Sequence, residues 1–111
     1  MKQAKVLTEK ELKKVVDITT LYKHAERNKA MLLLMHYSGF RVKELATLRV
    51  SDVVNDEGEI VDVIYLQAEQ TKGSEGRRVF VGKRAKSALK RYLQSDISVL
   101  QRTFLFNTQK E

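Results

Sequence analysis

The chain contains no cysteine, which excludes disulfides, thiolate metal sites and cysteine nucleophiles. Its only histidines are His24 and His36, too few for a zinc site built mainly from imidazoles. No long apolar run is present. The longest, Ala30 to Met35, falls far short of the ~20 residues that span a bilayer. The first fourteen residues, MKQAKVLTEKELKK, lack the apolar stretch of a signal peptide. These absences favour a cytoplasmic protein with no membrane contact. Proline is absent altogether, for which the sequence supplies no physical reason.

What is present describes one compact domain. A length of 111 residues can bury a single core, and 42% hydrophobic with 32% charged residues is a soluble globular composition. The net charge of +7 is concentrated in one place. Between Lys72 and Arg91 lie eight basic residues and one acid, Glu75, while the 13 basic and 13 acidic residues elsewhere cancel. Concentrated positive charge can bind a phosphate backbone and release its counterions. The bland alternative is a solvated face kept for solubility.

The patterning predicts an α+β fold that is mostly helical, with a small antiparallel sheet of two to three strands packed on a helix bundle. Its parts are a helical region of about 8–50, a β-hairpin of about 58–82 and a helix of about 83–95. Thr8, followed by Glu11, has the form of a capping box, and Leu12, Val15, Val16 and Thr19 continue at helical spacing. The pattern breaks between Thr19 and Tyr22. A second helix is expected from His24 to Ser38, apolar on every side over residues 30–35 and ended by Gly39. A short third helix is expected to turn Val42, Leu45, Ala46 and Leu48 inward.

Residues 55–58 form a turn cluster, and Ile60–Leu66 has the β-branched and aromatic content of a strand. Residues 71–76 read as a loop, followed by a second strand from Arg78 to Val81. After Gly82, a helix carries Ala85, Ala88, Leu89, Tyr92 and Leu93 on one face, with Lys86, Lys90 and Arg91 away from it. Phe104, Leu105 and Phe106 end the apolar pattern as an extended segment or the edge of a larger core.

The segment Tyr37-Ser38-Gly39-Phe40-Arg41-Val42-Lys43-Glu44-Leu45-Ala46-Thr47-Leu48-Arg49 resembles the first signature of the tyrosine recombinases, or phage integrases. The resemblance starts near Leu7-Thr8-Glu9-Lys10-Glu11-Leu12. It reaches Thr71-Lys72-Gly73 with Arg77-Arg78-Val79, which is similar to the family's catalytic-lysine loop, and extends to about Leu93. It implies an incomplete integrase-like catalytic domain acting on double-stranded DNA, with no cofactor and no small-molecule substrate.

In that reading Arg41 grips the scissile phosphate. A guanidinium offers a planar fork of donors, remains protonated, and offsets charge on the non-bridging oxygens. Its expected place at a helix start also favours an anion. The simpler alternative is an arginine paired with Glu44 one turn away. The resemblance implies that Lys72 protonates the leaving 5′-oxygen from a loop that folds over bound DNA, against the ordinary case of a solvated lysine. Glu44 is expected to support the fold and orient Arg41. Arg77, Arg78, Lys83, Arg84, Lys86 and Lys90 are candidate DNA-backbone contacts.

The family's His-x-x-Arg motif and nucleophilic tyrosine follow the lysine hairpin, and nothing after Lys72 matches them. Tyr92 is on the apolar face of a helix, and Tyr22, Tyr37 and Tyr65 precede the hairpin. His24-Ala25-Glu26-Arg27 has the pattern but precedes Arg41, so it is read as coincidence. Without the tyrosine no covalent phosphotyrosyl intermediate can form. The chain is therefore expected to be a middle portion of a recombinase or a shortened natural product. The alternatives are a non-catalytic DNA-binding or regulatory remnant and an interaction domain with an incidental basic face. If the later helices of a full domain cover Leu32–Met35 and Phe104–Phe106, those surfaces are bare here, and self-association is expected.

Overall fold

A computed structural model describes residues 7–71 and 75–106. Its first helix, α1 (Glu9–Thr19), starts as the sequence requires. Glu11 donates its amide to the Thr8 hydroxyl at 3.1 Å, and the Glu11 carboxylate accepts the Thr8 amide at 3.0 Å. Helix α2 (Ala25–Ser38) ends at Gly39, whose φ of 78° suits a residue without a Cβ. Next come two short helices, α3 (Val42–Thr47) and α4 (Val50–Val53). Strand β1 (Val63–Leu66), the helical turn α5 (Ala68–Thr71), strand β2 (Arg77–Phe80), helix α6 (Lys83–Ser95) and a 3₁₀ turn over Ile97–Gln101 complete the order.

Helices α2 and α6 are the central pair and run antiparallel. The Ser38 hydroxyl donates to the Val81 carbonyl at 2.6 Å, placing the end of α2 beside the start of α6. At the other end Arg91 lies 3.7 Å from Glu26. Ala85, Ala88, Leu89, Tyr92 and Leu93 are all buried, matching the predicted face. They join Leu12, Ala30, Leu33, Leu34 and the inner residues of the sheet in one core cluster. The segment after the 3₁₀ turn folds back on the α3–α4 junction. There Leu105 donates to Leu48 at 2.9 Å and Val50 to Thr103 at 3.0 Å.

Four local expectations need correction. The first strand is shorter than Ile60–Leu66, because Ile60 makes an isolated bridge with Val54 and the chain bends before Val63. Val42 and Ala46 are exposed, since six residues of α3 offer only one narrow stripe, taken by Leu45 with Leu48 just beyond it. Met35 is exposed at the end of α2, so that helix is not enclosed on every side. The strands are joined by α5 rather than by loop alone. The sheet itself is antiparallel, pairing Val63 with Phe80, Ile64 with Val79, Tyr65 with Arg78 and Leu66 with Arg77. Among the described residues, no helix is long and apolar enough to cross a membrane.

Candidate nucleic-acid interface

Arg41 occupies the N-cap position of α3 in an extended conformation, so its side chain leaves the helix at an exposed corner. Its amide is already satisfied by Glu44 Oε1 at 3.0 Å, which removes that amide from any anion. Among the described residues nothing pairs with its guanidinium. The simpler alternative, an Arg41–Glu44 ion pair, is thus not what forms.

The cation on Glu44 is Arg77 instead. Glu44 is 2% exposed, and a carboxylate that deep requires compensation. Arg77 supplies it with Nη2 at 2.6 Å from Oε1 and Nε at 3.4 Å from Oε2, and it reaches the Gly39 carbonyl at 3.4 Å. Strand alternation explains the choice. Arg77 shares the inward parity of Val79 and Val81, whereas Arg78 faces outward opposite Tyr65.

Lys72 lies outside the described residues, but both flanks of its loop are held against α3. On the upstream side, Gln70 in α5 donates to the Thr47 carbonyl at 3.1 Å, at the far end of α3. Thr71 then donates its hydroxyl to the carbonyls of Ala68 and Glu75, each at 3.0 Å, joining the two sides of the loop. On the downstream side, Arg77 holds the start of β2 to Glu44 and Gly39. Gly76 is required in between, because a Cβ there would stand 2.3 Å from the Leu66 carbonyl oxygen. The sequence reading did not anticipate the parts of Gln70 and Gly76.

The remaining basic candidates divide by partner. Lys86 is paired with Asp62. Arg84 donates to Glu9 at 3.1 Å and to the Tyr37 hydroxyl at 2.5 Å, and lies 5.4 Å from the Tyr37 ring centre. Tyr37 also donates to Glu9, so its hydrogen bond and the nearby guanidinium hold the Glu9 carboxyl below the usual carboxylate range. Arg78, Lys83 and Lys90 are exposed, and none has a side-chain partner among the described residues.

Tyr92 is 4% exposed, donates to the Leu105 carbonyl at 2.8 Å and stacks on Phe106 at 5.5 Å. Burial pushes its hydroxyl up from the ordinary tyrosine value, which is the opposite of what a nucleophile needs. His24 sits at the exposed start of α2 with φ of 62°, away from α3.

Comparison with known proteins identifies the family. The chain is 29% identical over 119 residues to transposase A of transposon Tn554 from Staphylococcus aureus, covering 99% of this chain and 30% of that protein. It is 36% identical over 88 residues to the tyrosine recombinase XerD of Oceanobacillus iheyensis, covering 79% of this chain and 27% of the relative. To XerC of Thermodesulfovibrio yellowstonii it is 43% identical over 68 residues, or 61% of this chain and 20% of the relative. The crystal structure of a XerA recombinase superposes with a TM-score of 0.69 at 27% identity, covering 97% of this chain and 36% of that one. The chain thus spans about a third or less of the length of these relatives. The phage integrase family model matches residues 5–111, and with the recombinase fold around Arg41 and Glu44 this places the chain in the phage integrase family of tyrosine recombinases.

Proposed function

We propose that this chain is the DNA-binding part of a site-specific recombinase that cuts and rejoins DNA, with Arg41 and Lys72 serving the scissile phosphate. The observation that carries the reading is the pinning of both flanks of the Lys72 loop onto the helix headed by Arg41. Arg41 is a guanidinium at an exposed corner with no partner among the described residues, suited to two phosphate oxygens at once. Lys72 is the proton donor to the leaving oxygen. Arg78, Lys83 and Lys90 contact the duplex backbone directly, while Arg77, Arg84 and Lys86 reach DNA only by sharing or leaving their acidic partners.

A second reading, DNA binding without cleavage, is favoured by the burial of Tyr92, the single tyrosine after the hairpin. Both readings require duplex binding, and its salt dependence tests that requirement. With about four cations engaged that have no partner among the described residues (Arg41, Arg78, Lys83 and Lys90), the log–log salt slope should be near −3 to −4, a loss of roughly a hundredfold in affinity from 50 to 200 mM salt. Binding that is absent or indifferent to salt overturns both. A nicked duplex separates them once the remainder of a recombinase catalytic domain, with its tyrosine, is joined to this chain: an adduct that Arg41→Ala abolishes supports the first reading, and no adduct supports the second.

A further inference from the structure

The inner face of the two-stranded sheet is closed by the core, with Ile64, Leu66, Val79 and Val81 each at most 4% exposed. Its outer face carries Val63 opposite Phe80 and Tyr65 opposite Arg78. Tyr65 is 58% exposed and Phe80 is 73% exposed. The solvent side of an antiparallel sheet is ordinarily polar, and one aromatic–β-branched pair is enough to steady a hairpin. Two bare aromatic rings, with Arg78 across from one and on the strand of the other and without a side-chain partner among the described residues, need another explanation.

We propose that this face is a stacking platform for unpaired bases, so that the chain binds single-stranded DNA there in addition to duplex. The inference rests on the DNA-binding reading above and adds a second mode to it. Duplex DNA hides its base faces and offers edges and phosphates, which leaves aromatic rings nothing to stack on. A recombinase moves a cut strand from one duplex to another, and that strand is unpaired in transit. Tyr65 and Phe80 are diagonal neighbours, about 7–8 Å apart for such positions, roughly twice the ~3.4 Å rise between stacked bases. That separation gives each ring its own base. Arg78, directly across from Tyr65, is placed to take the intervening phosphate or stack in turn. Among the described residues no acidic side chain stands at the paired outward positions, and the sheet's second strand belongs to the stretch that carries the whole net positive charge.

The chain has no tryptophan, so Phe80→Trp gives a reporter confined to this face. Oligothymidylate of ~10 nucleotides should quench its emission. A duplex whose binding is verified by anisotropy meets this face only through the Arg78 phosphate contact and offers no base to stack, so it should leave most of that emission unquenched. Tyr65→Ala and Phe80→Ala should each weaken oligothymidylate binding about tenfold and leave duplex affinity within twofold, while Tyr65→Phe retains the wild-type value. Both side chains are exposed, and circular dichroism verifies that the variants fold. Emission unchanged at saturating oligothymidylate, or equal losses for both DNAs, overturns the platform alone. A wild-type chain that binds neither DNA overturns the DNA-binding reading as well. If the alanine variants instead convert a dimer to a monomer with oligothymidylate affinity intact, the face is a self-contact and the proposal fails.

Discussion

One oxygen of Glu44 serves two arginines, accepting the Arg41 amide at 3.0 Å and the Arg77 guanidinium at 2.6 Å. Removing Arg77 leaves that carboxylate buried without its cation. A fully enclosed pair broken this way costs ~3–5 kcal/mol, but the Arg77 side chain is 41% exposed, so water screens part of the loss. We expect Arg77→Ala to destabilise the chain by about 1–3 kcal/mol and Arg78→Ala by under ~0.5 kcal/mol, as read by urea unfolding. Equal effects would mean that the ion pair does not support the Arg41 corner. Lys72→Ala should change duplex affinity by less than about twofold, because a proton donor contributes in the transition state rather than in binding; a large loss would make Lys72 mainly a phosphate contact. Arg41 and Glu44 were legible because they sit within one short signature. The partner of Glu44 was not, since Arg77 lies far along the chain and two adjacent arginines compete for the place. The alternation of Val79 and Val81 contains the answer, but only once the strand is known to face the core.

At the scale of elements, α6 and the α1 cap were readable because their signals are local: apolar spacing in one and a Thr–Glu pair in the other. The turn α5 was hidden because Gln70 caps it from within, accepting the Gln67 amide at 2.7 Å, and four polar-leaning residues give no period to detect. Gly76 connects that turn to β2. Gly76→Ala drives a methyl into the Leu66 carbonyl, and backbone on both sides must shift. A loss of ~1–3 kcal/mol is expected, with weaker amide protection at Leu66 and Arg77; a neutral variant would show that the loop relaxes freely. Helix α1 is joined to α2 and α6 through Glu9, Tyr37 and Arg84. Because the Glu9 carboxyl is held low, its contribution is present above the ordinary carboxylate range and lost as pH falls through the lowered value. The gap in thermal midpoint between wild type and Glu9→Gln should therefore be full above about pH 5 and close as the pH falls below the ordinary carboxylate range. A gap constant over that window would remove Glu9 as the group responsible.

The whole molecule closes more of its surface than the sequence suggested. Its radius of gyration of 13.8 Å is near the ~13 Å of a compact chain this long. Leu33, Leu34, Leu105 and Phe106 are buried, leaving Met35 and Phe104 as the exposed members of the two clusters expected to be bare. The sequence could not show this, because the strand-like pairing of Leu105 with Leu48 joins segments far apart in the chain. Exposed apolar side chains occur elsewhere instead: Ile18 in the last turn of α1 with Leu21 and Tyr22 just beyond it, and Ile97 and Leu100 on the 3₁₀ turn. Such clusters favour self-association, while the positive charge concentrated in residues 72–91 opposes close approach of two copies at low salt. These two effects respond to salt in opposite directions to DNA binding. Added salt should promote dimers by screening repulsion between chains, while it releases duplex. Sedimentation velocity at micromolar protein should therefore show the dimer fraction rising from 50 to 300 mM salt. A single monomeric species across that range would show that the scattered apolar residues are ordinary solvent-facing surface.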